Sequence, residues 1–141
     1  MAKAEGKKFK MEPVSKIDSG VLEVFDFPDV DQYITSTTEE FGAVCPFSGL
    51  PDLAKVCIEY FPEGKKCIEL KSLKYYLTSF RNVGLYQEGV TKRIYDDLKK
   101  VLKTNSLRVT TKYYPRGGFT TIASEGLMPG PLPFKAGERW E

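Results

Sequence analysis

Hydrophobic residues recur along the chain first every two residues, then about every 3.6 residues, and then every two residues again. This change of period restricts the fold more than any other feature. Residues 54–61 alternate, with Val56, Ile58 and Tyr60 on one face, as a half-buried strand requires. Helical spacing begins at Ser72, pauses near residues 82–84 and resumes from about residue 86 to 103. The sequence therefore predicts two consecutive helices that follow a strand.

Further strands are predicted on both sides of the helices. Residues 66–70 read as a strand that returns from 54–61 through a turn at 62–65. Residues 107–114 and 119–124 are rich in β-forming side chains and read as a final hairpin. The predicted core order is β-β-α-α-β-β.

This order predicts an α+β domain, in which both helices lie on one face of a four-stranded antiparallel sheet. Residues 21–27 add a short strand, and residues 34–38 are β-prone before prolines and glycines predict a loop over 39–52. Such a sheet has open edges. Since unpaired edges favour association, we expect a ring of subunits joined edge to edge.

The length of 141 residues fits one domain. We expect a mobile lysine-rich tail over residues 1–20, a catalytic domain over 21–125 and an irregular tail with a lone tryptophan over 126–141. The net charge of +2 argues against direct binding of nucleic acid. The sequence contains no apolar stretch of about 20 residues and no signal peptide, so a cytoplasmic location is expected.

The cysteine and histidine content limits the chemistry. Cys45, Cys57 and Cys67 form no paired C-x-x-C motif, and the sequence contains no histidine. A zinc site is therefore not expected, and catalytic triads that use histidine are impossible. Cys57 and Cys67 lie within predicted strands and are interpreted as structural.

Cys45 is the candidate nucleophile, and Asp52 follows it within the same loop region. A thiolate is a strong side-chain nucleophile, and a nearby carboxyl group can exchange protons with the intermediate that forms. The alternative is that Cys45 is an inert, small, buried residue, as most free cysteines are.

A second cluster lies where strand gives way to helix. Lys71, Ser72 and Lys74 are grouped at a helix start, where backbone N–H groups and lysine charges would suit a phosphate. The alternative is a solvated lysine face beside a serine near the N-cap.

Glu88 and Arg116 are the remaining candidates from residue type. Glu88 lies at the start of the second helix, where it either stabilises the helix dipole or accepts two hydrogen bonds from a guanine-like base. Arg116 precedes two glycines and either contacts a phosphate or belongs to a plain turn.

These features together resemble the QueF family, the 7-cyano-7-deazaguanine reductases of queuosine biosynthesis, across roughly residues 33–123. Residues 69–76, ELKSLKYY, match the family's cofactor motif at every position. Further matches occur in the family's order, namely Cys45-Pro46, Gly49, Pro51-Asp52, Ala54, residues 79–82, Gly84 and residues 116–118.

The resemblance implies a tunnelling fold and reduction of the nitrile to a primary amine by two NADPH molecules. It implies that Cys45 forms a covalent thioimide and that Asp52 transfers protons. It implies that Glu88 anchors the deazaguanine base of the substrate and that Gln87 and Glu69 are further substrate-binding residues. It requires no metal. It assigns NADPH binding to four residues, namely Lys71, Ser72, Lys74 and, more weakly, Arg116. One-domain relatives resemble stacked pentameric rings with sites between subunits.

One position departs from the family pattern, because many members have a histidine where this chain has Gln87. Glutamine cannot titrate near neutral pH, so a proton-transfer role would fall to Asp52, Tyr86 or water. Three other functions are compatible with parts of this sequence. A related amidinotransferase, which adds ammonia to the nitrile base in tRNA, is disfavoured by the intact cofactor motif. A zinc-dependent cyclohydrolase is disfavoured by the lack of histidine, and an RNA-binding module by the near-neutral charge.

Overall fold

The computed structural model describes residues 2–7 and 10–137 as an α+β domain. A four-stranded antiparallel sheet has the order β2-β3-β5-β6, and a separate two-stranded sheet pairs β1 with β4. The strands and helices, in chain order, are β1 (Val24–Asp26), β2 (Ile34–Val44), β3 (Pro51–Tyr60), β4 (Lys66–Ile68), α1 (Leu70–Thr78), α2 (Gln87–Leu102), β5 (Leu107–Tyr113) and β6 (Ile122–Gly126). The α+β class predicted from the sequence is confirmed.

Both helices pack on the sheet face that carries the even-numbered residues of β3. Val56 and Ile58 of β3 and Leu73 and Leu77 of α1 line one groove on this face. The hydroxyl groups of Thr91 on α2 and Thr111 on β5 are 2.7 Å apart, which fixes the position of α2 over the sheet. This face forms the hydrophobic core of the domain.

The opposite face of the sheet is polar and yet buried. Glu59, Arg108 and Lys112 are each at most 5% exposed. The C-terminal segment covers them, because Arg108 donates hydrogen bonds to the carbonyl oxygens of Met128, Gly130 and Pro131. Residues 127–137 contain no helix or strand, Gly126 of the tail expected over 126–141 is the last residue of β6, and Trp140 lies outside the described residues.

Two strand predictions are wrong. Residues 66–70 do not return along 54–61, because β3 is already paired with β2 and β5 on its two sides, so β4 pairs with β1. The loop predicted over 39–52 shrinks to residues 45–50, since pairing with β3 carries β2 through to Val44. Long-range pairing overrides the local turn tendency of Gly42 and Pro51.

The N-terminal segment packs on the domain before residue 21, where the domain was expected to begin. Ile17 is buried, and the backbone N–H of Glu12 donates to the carbonyl oxygen of Asn82 at 2.7 Å. The backbone N–H of Asp18 donates to the Ser79 hydroxyl at 2.9 Å. These contacts place residues 12–18 against the region that connects α1 to α2.

Candidate active site

Cys45 lies at the first position of the tight loop that joins β2 to β3. Its backbone N–H donates to the carbonyl oxygen of Leu50 at 2.9 Å, and its own carbonyl accepts from Gly49 N–H at 2.8 Å. Gly49 has a φ of 72°, a value that favours glycine. The loop therefore fixes the thiol at one end of the sheet, and Asp52 follows as the second residue of β3.

Arg116 reaches the same point from the hairpin that follows β5. The turn places Gly117 and Gly118 at φ values of 57° and 84°, and Arg116 N–H donates to the Phe119 carbonyl oxygen at 2.8 Å. Positive φ at both central residues is the geometry of a type I′ hairpin turn. The Arg116 guanidinium donates one hydrogen bond to Asp52 Oδ1 and another, of 3.1 Å, to Ser48 Oγ.

The thiol and the carboxyl group have pKa values displaced in opposite directions. Hydrogen bonding by the Ser48 hydroxyl, assisted by the Ser48 and Phe47 backbones, lowers the pKa of Cys45 below its usual 9.0 despite partial burial and the charge of Asp52. Burial raises the pKa of Asp52, and the opposing charge and hydrogen bond of Arg116 do not cancel that effect. The site thus favours a thiolate beside a carboxyl group that retains its proton more readily than an ordinary aspartate.

The start of α2 lies beside Cys45. Val44, the residue before the cysteine, donates its N–H to the Val83 carbonyl at 2.9 Å and accepts from Leu85 N–H at 3.1 Å. The helix begins two residues later, with half-buried Gln87 and exposed Glu88 in its first turn. Glu88 therefore begins α2 as predicted, and the structure brings this helix end to the cysteine loop.

Two residues at this site were not predicted from the sequence. Ser48 links the thiol to Arg116, and the only signal was its position three residues after Cys45 in a turn-forming segment. Tyr113, the last residue of β5, is 1% exposed, and its hydroxyl has no hydrogen-bond partner among the described residues. Its place in a strand gave no sign of a role.

The lysine cluster lies elsewhere, at the start of α1. Glu69 caps this helix by accepting from the backbone N–H groups of Lys71 at 2.8 Å and Ser72 at 3.1 Å. Ser72 is buried, and its hydroxyl donates to the Glu69 carbonyl at 2.7 Å and accepts from Glu23 N–H at 2.9 Å. Lys71 and Lys74 are exposed, and Lys74 forms an ion pair with Glu40. The backbone donors of Lys71 and Ser72 are thus occupied by a carboxylate of the chain.

Two grooves flank these lysines. One, of about 330 Å³ between β2 and α1, is lined by Lys74 with Phe41 and Leu73. The other, of about 450 Å³, is lined by Glu69 and Lys71. Neither groove is lined by Cys45 or Asp52. Glu40, the partner of Lys74, precedes Cys45 by five residues, a separation of roughly 16 Å along a strand.

A hydrogen-bonded thiol and a buried carboxyl group at one end of an antiparallel sheet define an α+β protein with a cysteine–carboxylate site. Comparison with known proteins identifies the family. The sequence profile described as "QueF-like protein" matches residues 51–125. The chain is 55% identical, over 92% of its length and 95% of theirs, to proteins of Thermotoga petrophila and Thermotoga maritima that are both named NADPH-dependent 7-cyano-7-deazaguanine reductase.

A protein of the same name from Caldicellulosiruptor bescii is 46% identical over 84% of this chain and 92% of its own. The chain belongs to the QueF-like protein family. The crystal structure of the archaeosine synthase QueF-Like in the apo form shares the fold, with a TM-score of 0.61 at 22% identity over 66% of this chain and 90% of that one.

The described residues form neither a metal-binding cluster nor a membrane-spanning helix. They contain no group of three or more cysteine and carboxylate side chains arranged to hold a metal ion. None of the helices in this part of the chain combines the length and the hydrophobicity needed to cross a bilayer.

Proposed function

We propose that this protein is an NADPH-dependent nitrile reductase that converts 7-cyano-7-deazaguanine to 7-aminomethyl-7-deazaguanine in queuosine biosynthesis. One observation carries the proposal: a series of polar contacts runs from Cys45 through Ser48 and Arg116 to Asp52. The names of relatives at 55% identity supply the substrate and the cofactor.

Cys45 starts the reaction as a thiolate. Its sulfur attacks the nitrile carbon, a C–S bond forms, and one π bond of the nitrile becomes a lone pair on nitrogen. Asp52 donates a proton to that nitrogen, so that the product is a neutral thioimide. The displaced pKa values suit this division of roles, because the pKa of the Cys45 thiol is lowered and that of the Asp52 carboxyl group is raised.

Conversion of the nitrile to the primary amine takes up four electrons, which correspond to two hydrides and two protons. NADPH, when bound, supplies each hydride. The residues of the chain perform the rest. Cys45 leaves as a thiolate when the C–S bond breaks, and Asp52, reprotonated from water, donates the second proton to the substrate nitrogen. Glu88 holds the amidine-like edge of the base through two parallel hydrogen bonds. Gln87 and Glu69 are proposed as further substrate-binding residues.

The lysine cluster suits the phosphates of NADPH in part. Lys71 and Lys74 are exposed and each lines one of the two grooves, and Lys74 is ion-paired with Glu40. Ser72 is already bonded to Glu69 and Glu23, so its contact with the cofactor would replace one of those bonds. Arg116 contributes a guanidinium group that is one-third exposed next to Asp52.

The separation of the lysine cluster from Cys45 along β2 favours a site assembled from two subunits. β2 and β6 are the edges of the four-stranded sheet, and edge-to-edge pairing would close such sheets into the ring of a tunnelling fold. We therefore propose stacked pentameric rings that act in the cytoplasm, without direct binding of nucleic acid.

The test is to follow the oxidation of NADPH spectroscopically with the free nitrile base and to identify the product by mass spectrometry. The proposal predicts two NADPH oxidised for each aminomethyl base formed. Cys45→Ala should abolish both signals. If the folded wild-type protein consumed no NADPH but added ammonia to the nitrile in tRNA, the protein would be an amidinotransferase instead.

A further inference from the structure

The Tyr113 hydroxyl stands out among the buried polar groups of the described residues. It is buried and makes no hydrogen bond with any described residue, whereas the hydroxyl groups of the buried tyrosines Tyr60 and Tyr76 each have a partner. A buried hydroxyl without a partner destabilises the folded state, and phenylalanine would fill the same space without that cost. The group therefore calls for a partner that the described residues do not supply.

Its position points to the active site. Tyr113 is paired with Ala54 in the sheet, so its side chain lies on the same face as that of Asp52, two residues along β3. The hydrogen bond between Thr91 and Thr111 places Glu88, one helical turn before Thr91, over the end of β5 that holds Tyr113. Tyr113 thus lies between the proposed proton donor and the proposed base anchor.

Electrostatics agree with this placement. Burial raises the pKa of Tyr113, and the charges of Asp52 and then Glu88 raise it further. Both carboxylates therefore lie near enough to act on the hydroxyl. Its pKa direction keeps Tyr113 protonated at neutral pH, so it can donate a hydrogen bond to an acceptor.

The order of these residues matches the order of groups on the base. On a 7-cyano-7-deazaguanine, the ring carbonyl oxygen lies between the amidine-like edge and the nitrile. We propose that Tyr113 determines substrate specificity by donating a hydrogen bond to that carbonyl oxygen, with Glu88 on the amidine edge and Cys45 and Asp52 at the nitrile. This inference rests on the proposed function and adds to it a residue that reads the carbonyl group.

Because the Tyr113 hydroxyl is buried, binding of the base requires a rearrangement of the site. Arg116 follows Tyr113 by three residues, is one-third exposed and holds Asp52 and Ser48 only through its guanidinium group. Its withdrawal would free Asp52 for the substrate nitrogen as the base enters.

The test compares Tyr113→Phe with Tyr76→Phe, a matched change at a buried tyrosine whose hydroxyl donates to Asp97 at 2.6 Å. Tyr113→Phe should raise KM for the nitrile base about tenfold, which corresponds to the loss of one hydrogen bond. KM for NADPH should stay unchanged, and the urea midpoint of unfolding should not fall. Tyr76→Phe should lower the unfolding midpoint and leave both KM values unchanged.

A base analogue with hydrogen in place of the ring carbonyl oxygen sharpens the test. Calorimetric titration into Cys45→Ala and Cys45→Ala/Tyr113→Phe proteins measures binding without chemistry. The two proteins should differ about tenfold in affinity for the natural base and should not differ for the analogue. Equal affinities for the natural base would overturn the role of Tyr113. Absence of NADPH oxidation by wild-type protein would instead overturn the proposed function.

Discussion

Two carboxylate side chains of β3, Glu59 and Asp52, each pair with an arginine from another part of the chain. The two pairs differ in how completely the carboxylate is bound. Arg108 binds both oxygens of Glu59, with distances of 2.8 and 3.0 Å, and the Tyr33 hydroxyl donates to the same carboxylate. Asp52, in contrast, has one ion-pair contact with Arg116, whose side chain is 36% exposed, against 6% for Arg108. The carboxylate of Glu59 is therefore bound through both oxygens by a buried arginine, whereas that of Asp52 is bound through one oxygen by a partly exposed arginine.

The difference in binding decides the protonation of each carboxyl group. Burial raises the pKa of Glu59, but the hydrogen bonds and charge of Arg108, with that of Tyr33, outweigh burial and the net pKa is lowered. At Asp52 burial prevails over Arg116, and the pKa is raised. A fully bound carboxylate holds the fold together, whereas a partly bound one is available to exchange protons.

The largest expected effect separates the two carboxylates by activity. Asp52→Asn should lower kcat by roughly 10²- to 10⁴-fold, because the amide cannot donate the proton to the substrate nitrogen. Glu59→Gln should retain most of kcat while it lowers stability. Steady-state kinetics and urea unfolding of both variants measure the contrast. Equal losses of activity would remove the distinction between the two pairs.

The next effect separates the two arginines by stability. Arg108→Ala should lower the free energy of unfolding by about 3–5 kcal/mol, because it leaves Glu59 buried without its counter-charge. Arg116→Ala should change it by less than about 1 kcal/mol, since the Arg116 side chain is 36% exposed and Asp52, whose pKa is raised, can take up a proton once its counter-charge is removed. Urea unfolding at neutral pH checks both values, and similar losses in the two variants would contradict the comparison.

The free energy of unfolding, measured with urea over a range of pH, sharpens the contrast between Glu59 and Asp52. Since the folded-state pKa of Glu59 is lowered, its contribution to stability is present above its unfolded pKa and is lost as pH falls through the folded value. The raised pKa of Asp52 gives the opposite sign, with stability lost as pH rises through the folded value. Glu59→Gln should therefore reduce the acid-side loss of stability, and Asp52→Asn should not.

The smallest expected effect concerns the thiol. Ser48→Ala removes the hydrogen bond that contributes most to the lowered pKa of Cys45, so the pKa of the thiol should rise. At pH 7 alkylation of Cys45 by iodoacetamide should slow about two- to tenfold, in line with the loss of one hydrogen bond. The pH dependence of the alkylation rate, measured by peptide mass spectrometry, tests this directly. A pH profile identical to that of wild type would remove Ser48 from the site.

Local patterns predicted the elements whose signal lies in a short stretch of sequence. The apolar stripe from Val90 to Leu102 predicted α2, and the alternation of Val56 and Ile58 predicted β3. Partners of strands depend on residues far away in sequence, so the pairing of β4 with β1 was not predictable from local patterns. For the same reason the contacts of residues 12–18 were missed.

The site, like the fold, was predictable only in part. Residue type and spacing singled out Cys45 and Asp52, and the structure links them through Ser48 and Arg116. Neither Ser48 nor Tyr113 has a side chain that marks a site by itself. Their importance arises from burial and from the meeting of β3, β5 and α2, which only the folded chain shows.

The most direct measurement of the central claim is the intact mass of the protein incubated with the nitrile base in the absence of NADPH. The account predicts a gain equal to the full mass of one base per chain, because thioimide formation is an addition without a leaving group. Peptide mapping should place that adduct on Cys45. An unmodified Cys45, or an equal adduct in the Cys45→Ala protein, would contradict nucleophilic attack by this residue.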